Sequence, residues 1–247
     1  MDVIFLGTNG WYDSATGNTI CILIESDDYY IVLDAGNGIN KLDQYYQKAK
    51  PVYILLSHFH LDHIAGLHIL AKFSFAQGLV IAGPEGTRKI LNTFVNRPFT
   101  MPLDDLSYKT ELLELSGEKN VLPFEMRFME LVHTTLTLGY RIRLDNKTIA
   151  YVPDTGFCHN ALRLAQDVDL LIAECAYLPG ESSDDWPHLN PQDAANIAKQ
   201  AGAKKLALVH FDAQRYPTIE ARKVAEVHAK KIFPNTVATR DDMKLHL

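Results

Sequence analysis

Four side chains able to bind a metal fall within six residues of Ser57-His58-Phe59-His60-Leu61-Asp62-His63, directly after the apolar run Val52 to Leu56. Burying three imidazoles and a carboxylate without a cation is costly, so a divalent metal is the economical reading of this cluster. If the apolar run is a strand that continues through the motif, alternation aims His58, His60 and Asp62 to one face. His63 then points elsewhere and reaches a second ion beside the first, which a single tetrahedral zinc would not require. Taken singly, a buried histidine is more often a hydrogen-bonded core residue than a ligand; four metal-capable groups together are not.

Two ions need further ligands, and three downstream positions qualify. His133 follows the expected strand Arg127 to Val132, Asp154 follows Ile149 to Val152, and His210 ends Leu206 to Val209. All three are loop-edge positions, where a rigid sheet displays functional side chains. Each alone would serve equally well as a turn residue or strand-end cap.

The elements that must position these groups are read from periodicity. Short strands are expected at Val3 to Leu6, Ile20 to Glu25, Tyr29 to Leu33, Leu79 to Ala82, Phe124 to Val132, Tyr140 to Leu144, Thr148 to Val152, Asp169 to Glu174 and Lys205 to His210. Asp145 and Asn146 form the turn between two of them. Helical spacing follows Gly38 (Ile39, Leu42, Tyr45, Tyr46) and continues from Gly66, and Pro84 opens a helix through Phe94. Asn190 caps a helix with Pro191 at its first position and Gly202 after its end. Thr218 caps a closing helix whose apolar face is read as Ile219, Val224, Val227 and Ile232. The stretch from Phe99 to Gly117 has no clear period, and the polar run Gly180 to Asn190 reads as a surface loop.

Length and composition bound the rest. The 247 residues, 47% apolar and 22% charged, form an α/β chain read as one domain, 1–247, long enough to bury a sizeable core. No apolar run is long enough to cross a bilayer, and Met1 to Gly7 reads as a first strand rather than a signal peptide, so a cytoplasmic location is expected. Cys21, Cys158 and Cys175 are too few and too scattered for a disulfide framework or a zinc site, and are read as buried thiols. A formal charge of -6 argues against a broad phosphate-binding surface and hence against long nucleic acid as partner. A small anionic substrate remains compatible, because two divalent cations make the pocket itself positive.

With these residues in place, the chain resembles the metallo-β-lactamase superfamily, whose signature is His-x-His-x-Asp-His followed by distant His, Asp and His ligands. The likeness extends from Phe5-Leu6-Gly7-Thr8 and Asp34-Ala35-Gly36 to His210. It implies a four-layer αββα sandwich with a binuclear metal site at the edge of the two sheets. It also implies one zinc held by His58, His60 and His133, another by Asp62, His63 and His210, and Asp154 bridging them, with Mn2+ or Fe2+ as substitutes. Such pairs lie about 3.5 to 4 Å apart and lower the pKa of bound water, supplying a hydroxide nucleophile that Asp62 can orient.

Within the superfamily the chain is most similar to the ribonuclease Z branch. His133-Thr134-Thr135-Leu136-Thr137-Leu138-Gly139 departs from the His-Thr-Pro-Gly-His of the glyoxalase and lactonase branches. His60 stands where the flavo-di-iron branch carries Glu, which favours zinc. Val152-Pro153-Asp154-Thr155, Ala173-Glu174-Cys175-Ala176-Tyr177 and His188 through His210-Phe211-Asp212 follow the ribonuclease Z pattern. There a Glu and a non-ligand His protonate the leaving group; Glu174 and His188 match those positions. The long basic, glycine-rich arm that holds tRNA in that branch is missing between Asp154 and His188, and His188-Leu189-Asn190 replaces its His-Ser-Thr. The expected activity is therefore phosphodiester hydrolysis on a cyclic nucleotide or short oligonucleotide, with room for a homodimer to complete the cleft. Competing readings are tRNA 3' processing, hydrolysis of carboxylic, lactone or sulfate esters, and, least favoured, a non-catalytic binding module. Tyr151, Tyr177, Phe157 and Trp186 are candidates to border the pocket. His68, His159, His228 and His246 read as structural or surface residues.

Overall fold

Valine, isoleucine and leucine fill most strands on both faces, so each sheet has to be covered twice. The computed structural model, which describes residues 1–47, 49–117 and 122–247, meets that demand with four layers. The first half of the chain contributes β1 (Asp2–Gly7), β2 (Asn9–Gly10), β3 (Cys21–Glu25), β4 (Tyr30–Leu33), β5 (Val52–Leu55), β6 (Leu79–Gly83) and β7 (Thr110–Glu114). The second half contributes β8 (Glu125–Glu130), β9 (Leu138–Leu144), β10 (Lys147–Val152), β11 (Leu170–Glu174), β12 (Leu206–Val209), β13 (Phe211–Asp212), β14 (Thr236–Ala238) and β15 (Met243–His246). One sheet runs β15-β1-β3-β4-β5-β6-β7 and the other β14-β12-β11-β10-β9-β8, while β2 and β13 pair in a short parallel ribbon.

Three cores separate the layers. Phe5, Ile22, Ile31 and Leu33 of the first sheet meet Tyr140, Ile142, Tyr151 and Ile172 of the second in the central one. Ile4, Leu23, Val32 and Ile54 face outward under helical segments carrying Ile39, Leu67 and Leu91. Val152, Leu171, Ala173 and Leu208 face outward under helices carrying Leu164, Ile197 and Ala225. The helices are α1 (Leu61–Ile64), α2 (Thr87–Phe94), α3 (His159–Ala165), α4 (Pro191–Gln200) and α5 (Ile219–Lys230). Among the described residues no helix is long and apolar enough to cross a membrane.

Local chemistry explains most boundaries. Asn190 Oδ1 accepts from the backbone N–H of Gln192 (2.9 Å) and Asp193 (3.0 Å), with Pro191 opening α4. Asp145 and Asn146 both take positive φ, 48° and 59°, the geometry that a two-residue hairpin between β9 and β10 requires. The helical spacing after Gly38 and from Gly66 produces tighter 3-10 segments, Asn37–Gln44 and Ala65–Lys72. The unperiodic 99–117 stretch holds a single 3-10 turn, Leu103–Asp105, and the edge strand β7.

Helix α5 departs from the sequence reading. Val224 and Val227 are 52% and 56% exposed, and the inward face is Arg222, Ala225 and Ala229. The buried Arg222 guanidinium is the reason. It donates to Thr8 Oγ1 (2.8 Å), Thr16 Oγ1 (3.1 Å), Thr239 O (3.3 Å) and Asn9 Oδ1, and lies 4.7 Å over the Phe211 ring. Satisfying a buried cation outweighs the small gain from covering two valines. Cys21 and Cys175 are buried as expected, but Cys158, at the start of α3, is only half-buried.

Candidate metal centre

Parallel strands deliver their C-terminal ends to one edge, and the candidate ligands sit just past those ends. In the first sheet Leu33 lies opposite Leu55, so Asp34 and the His58 loop emerge side by side. In the second, β10, β11 and β12 run parallel, bringing Asp154, Glu174 and His210 to a common edge. The backbone N–H of Leu138 donates to Ser57 O (2.9 Å) and Tyr140 Oη to Leu56 O (2.5 Å), which stitches the two edges together.

The motif is not a continuing strand. β5 ends at Leu55; His58 and His60 lie in a loop, His60 is the extended residue before α1, and Asp62 and His63 are on that helix. A loop tied to the neighbouring strand end, rather than strand alternation, therefore aims these side chains. Asp34 provides the tie. Its Oδ1 accepts from Ser57 N (2.7 Å), and its Oδ2 from Ser57 Oγ (2.8 Å) and Tyr151 Oη (2.6 Å). Oδ2 also meets His63 Nδ1 at 2.8 Å, which leaves Nε2 of that ring as the inward-facing nitrogen. Asp34 does this from a left-handed backbone, φ 55°, an unusual conformation for a residue other than glycine.

Two sets of nitrogens and oxygens converge. His58, His60, His133 and Asp154 offer ligand atoms within 4.8 Å of one another, as do Asp62, His63 and His210. Asp154 lies between the sets. Its Oδ2 is 3.8 Å from His58 Nε2 and 3.6 Å from His133 Nε2, while its Oδ1 is 3.3 Å from His63 Nε2 and 3.2 Å from His210 Nε2. Across the second set, His63 Nε2 and His210 Nε2 are 3.1 Å apart, and Asp62 Oδ2 is 3.2 Å from His210 Nε2. Of six buried side-chain atoms without a hydrogen-bond partner among the described residues, His58 Nε2 and Asp154 Oδ1 point into this cluster. Such unpaired nitrogen and oxygen donors fit a divalent cation.

Charge within the cluster follows burial first and neighbours second. Burial, then the nearby His63, pushes His58 well below the ordinary imidazole range, and burial likewise lowers His60 and His133. Burial alone would lower His63 too, but the carboxylates of Asp154, Asp62 and Asp34 raise it. Against burial, His210 and His63 hold Asp154 below the carboxylate range, and His63 with His210 does the same for Asp62. Asp154 and Asp62 are thus ionised and the first set of imidazoles neutral, as metal ligation demands, whereas His63 and, against burial, His210 are raised by the same carboxylates and would release a proton on ligating a cation.

Beside the cluster, His188 Nδ1 lies 2.7 Å from Glu174 Oε1. Burial lowers the His188 pKa, but the Glu174 carboxylate, by charge and hydrogen bond, carries it up to about 9. Glu174 is itself fixed by the backbone N–H groups of Thr155 (2.8 Å) and Ala176 (3.0 Å). His188 comes within ligand distance of Asp154 and His210, and its ring stacks 5.9 Å from that of His210.

A cavity of about 820 Å³ opens onto these groups, lined by His60, Asp62, Asp154, His188 and His210 together with Trp11, Tyr177, Trp186 and Arg215. Trp186 and Tyr177 border it as the sequence suggests. Tyr151 instead lies in the central core on Asp34, and Phe157, exposed, is not part of the lining. Sequence reasoning assigned no role to Asp34 or to the Gly10-Trp11 turn. Pairing of β2 with β13 sets Gly10 against the His210 ring, where a Cβ would lie 2.5 Å from ring carbon, and Trp11 N donates to Asp62 Oδ2 (2.7 Å). For Asp34 the available signal is its place in the Asp34-Ala35-Gly36 likeness, and for the turn a glycine beside an asparagine.

The sequence pattern of the Beta-lactamase superfamily domain matches residues 29–211, well over half of the chain. YhfI of Bacillus subtilis (strain 168), a probable metallo-hydrolase, is 29% identical over 216 residues, covering 85% of this chain and 87% of its own. The crystal structure of YhfI, a metallo-beta-lactamase fold protein, superposes with a TM-score of 0.80 at 24% identity over 99% of both chains. Ribonuclease Z of Sulfolobus acidocaldarius is 27% identical over 285 residues, covering 95% of this chain and 94% of its own. The short form of human tRNase Z shares the fold, with a TM-score of 0.75 at 22% identity over 100% of this chain and 99% of that one.

Proposed function

The chain belongs to the beta-lactamase superfamily, and from that premise we propose that it is a binuclear, zinc-dependent phosphodiesterase acting on a small or flexible phosphodiester. It is a metal-dependent hydrolase; the finer reading rests on one observation, the 2.7 Å pair of Glu174 and His188 set beside the two ligand sets. A charged imidazole there suits a reaction whose leaving group is a poor one and needs a proton.

In this reading His58, His60 and His133 would hold one ion and Asp62, His63 and His210 the other, with Asp154, between the two sets, available to both. When bound, the ions supply Lewis acidity and lower the pKa of water. The remaining chemistry belongs to the chain. Asp62, with Oδ2 fixed by Trp11 N, orients the attacking water through its other oxygen and takes its proton. As water adds to phosphorus and the P–O bond to the leaving group breaks, His188 Nε2 gives that oxygen its proton. Glu174 keeps His188 charged until then, and Asp34 holds His63 in place. We treat residues 1–247 as one catalytic domain, which the core shared by both sheets supports.

The test is turnover by zinc-loaded protein on phosphodiester, aryl sulfate and lactone substrates. Preference for phosphodiesters is expected; preference for either other class refutes the reading. The second reading, tRNA 3' processing, has the ribonuclease Z relatives in its favour. Against it, residues 160–187 are occupied by α3, β11 and a short loop, with no added arm among the described residues. The formal charge of -6 points the same way.

A further inference from the structure

The chain has two tryptophans, and both stand exposed on the one cavity, Trp11 at 62% and Trp186 at 51%. Large indoles are ordinarily mostly buried, so this placement calls for a partner. Each is set beside a different ligand set. The Trp186 ring lies parallel to His60, within 5° at 5.8 Å, and edge-on to His133 at 5.9 Å. Its backbone carbonyl accepts from Tyr177 Oη. Trp11 is tied to the other set by the bond from its N–H to Asp62, and its ring meets Tyr12 edge-on at 5.2 Å. Anchored backbones with open ring faces form a stacking surface that needs little ordering on binding.

Charge narrows the ligand further. Among the described residues Arg215 is the one Arg or Lys lining the cavity, and it is already occupied. Its Nε and Nη2 donate to Glu181 (both 2.9 Å at the shortest), its Nη1 donates to Asp212 (2.8 Å), and it lies 5.0 Å over Tyr177. Among the described lining residues the two cationic groups, Arg215 and the charged His188, are each already paired with carboxylates, Glu181 and Asp212 for the first and Glu174 for the second, so no unpaired cation faces a second phosphate.

Resting on the phosphodiesterase reading, we propose that the cavity takes a phosphodiester with a single phosphate and at least one nucleobase, the base stacking on Trp186 or Trp11. Trp186 and Trp11 are then the residues that determine specificity, and nucleoside polyphosphates gain nothing from their extra charge.

Tryptophan emission of the zinc-loaded protein reads this directly, with AMP, ribose 5-phosphate and ADP as probes. Trp11→Phe and Trp186→Phe variants report on one indole each. AMP is expected to quench and to bind at least about tenfold tighter than ribose 5-phosphate, with ADP no more than about threefold tighter than AMP. Trp186→Ala is expected to narrow the AMP preference over ribose 5-phosphate by about tenfold, with Trp186→Phe restoring most of it. Zinc content is measured alongside; should Trp186→Ala lose metal, Trp11→Ala, linked to the ligands through its backbone, carries the same comparison. Equal affinity for AMP and ribose 5-phosphate, or binding of neither, overturns the proposal, as does ADP binding tenfold tighter than AMP. Base-dependent quenching without phosphodiester turnover would leave the stacking site standing and remove the catalytic reading. Turnover without base dependence would do the reverse.

Discussion

Replacing Glu174 with Gln tests the proton-donor pair most sharply. Between the ordinary imidazole value of 6.5 and about 9 lies about 3 kcal/mol of preference for charged His188, at roughly 1.36 kcal/mol per pKa unit. Without the carboxylate, burial is left as the dominant influence, so the value falls to 6.5 or below. At about pH 7.5 the charged fraction then drops from nearly all to about a tenth. The expected result is a loss of at least about tenfold in kcat on a phosphodiester with an alkoxide leaving group, and an alkaline limb moved down by more than one pH unit. A nitrophenyl leaving group departs without a proton and is expected to lose much less. The Gln amide also turns a donor toward Ala176 N–H, costing about 1–3 kcal/mol of stability, so kcat is read well below the Tm of the variant. Folding raises the His188 pKa, so the pair's stabilisation is complete below pH 6.5 and is lost as pH rises through about 9. An alkaline limb that stays in place, or equal losses on both leaving groups, would refute the assignment.

Four further outcomes follow from the geometry. Asp34→Ala removes the partner of His63 Nδ1 and both ties to Ser57, and is expected to weaken zinc affinity by about 10- to 100-fold in a chelator competition. Gly10→Ala places a Cβ 2.5 Å from the His210 ring, and metal analysis should find occupancy lost at the Asp62, His63 and His210 set before the His58, His60 and His133 set. Arg222→Met strands the oxygens of Thr8, Asn9 and Thr16; thermal denaturation should show a loss of at least about 2 kcal/mol. Chelation of the native protein is expected to lower its Tm, with zinc restoring it in a concentration-dependent way, because ligands that bind only the folded state stabilise it.

The candidate donor atoms, their order along the chain and the strands that carry them were legible in the residues alone, since side-chain chemistry and strand periodicity are local properties. The spacing from His58 to His63 announced a metal cluster, and apolar runs marked β5, β10, β11 and β12 within a residue or so. Helix periodicity was less informative where two faces compete: α5 turns Arg222 inward and leaves Val224 and Val227 outside, because distant Thr8, Asn9 and Thr16 supply its partners. The aim of each ligand was likewise out of reach. His63 and His210 are 147 positions apart and meet at 3.1 Å only because two sheets bring strand ends to one edge. Asp34 orders the motif loop from across a parallel strand pair, and Trp11 reaches Asp62 through a ribbon formed by β2 and β13. Residue types set what chemistry is available; long-range backbone pairing alone decides which of those residues stand within bonding distance, and that is a property of the folded chain.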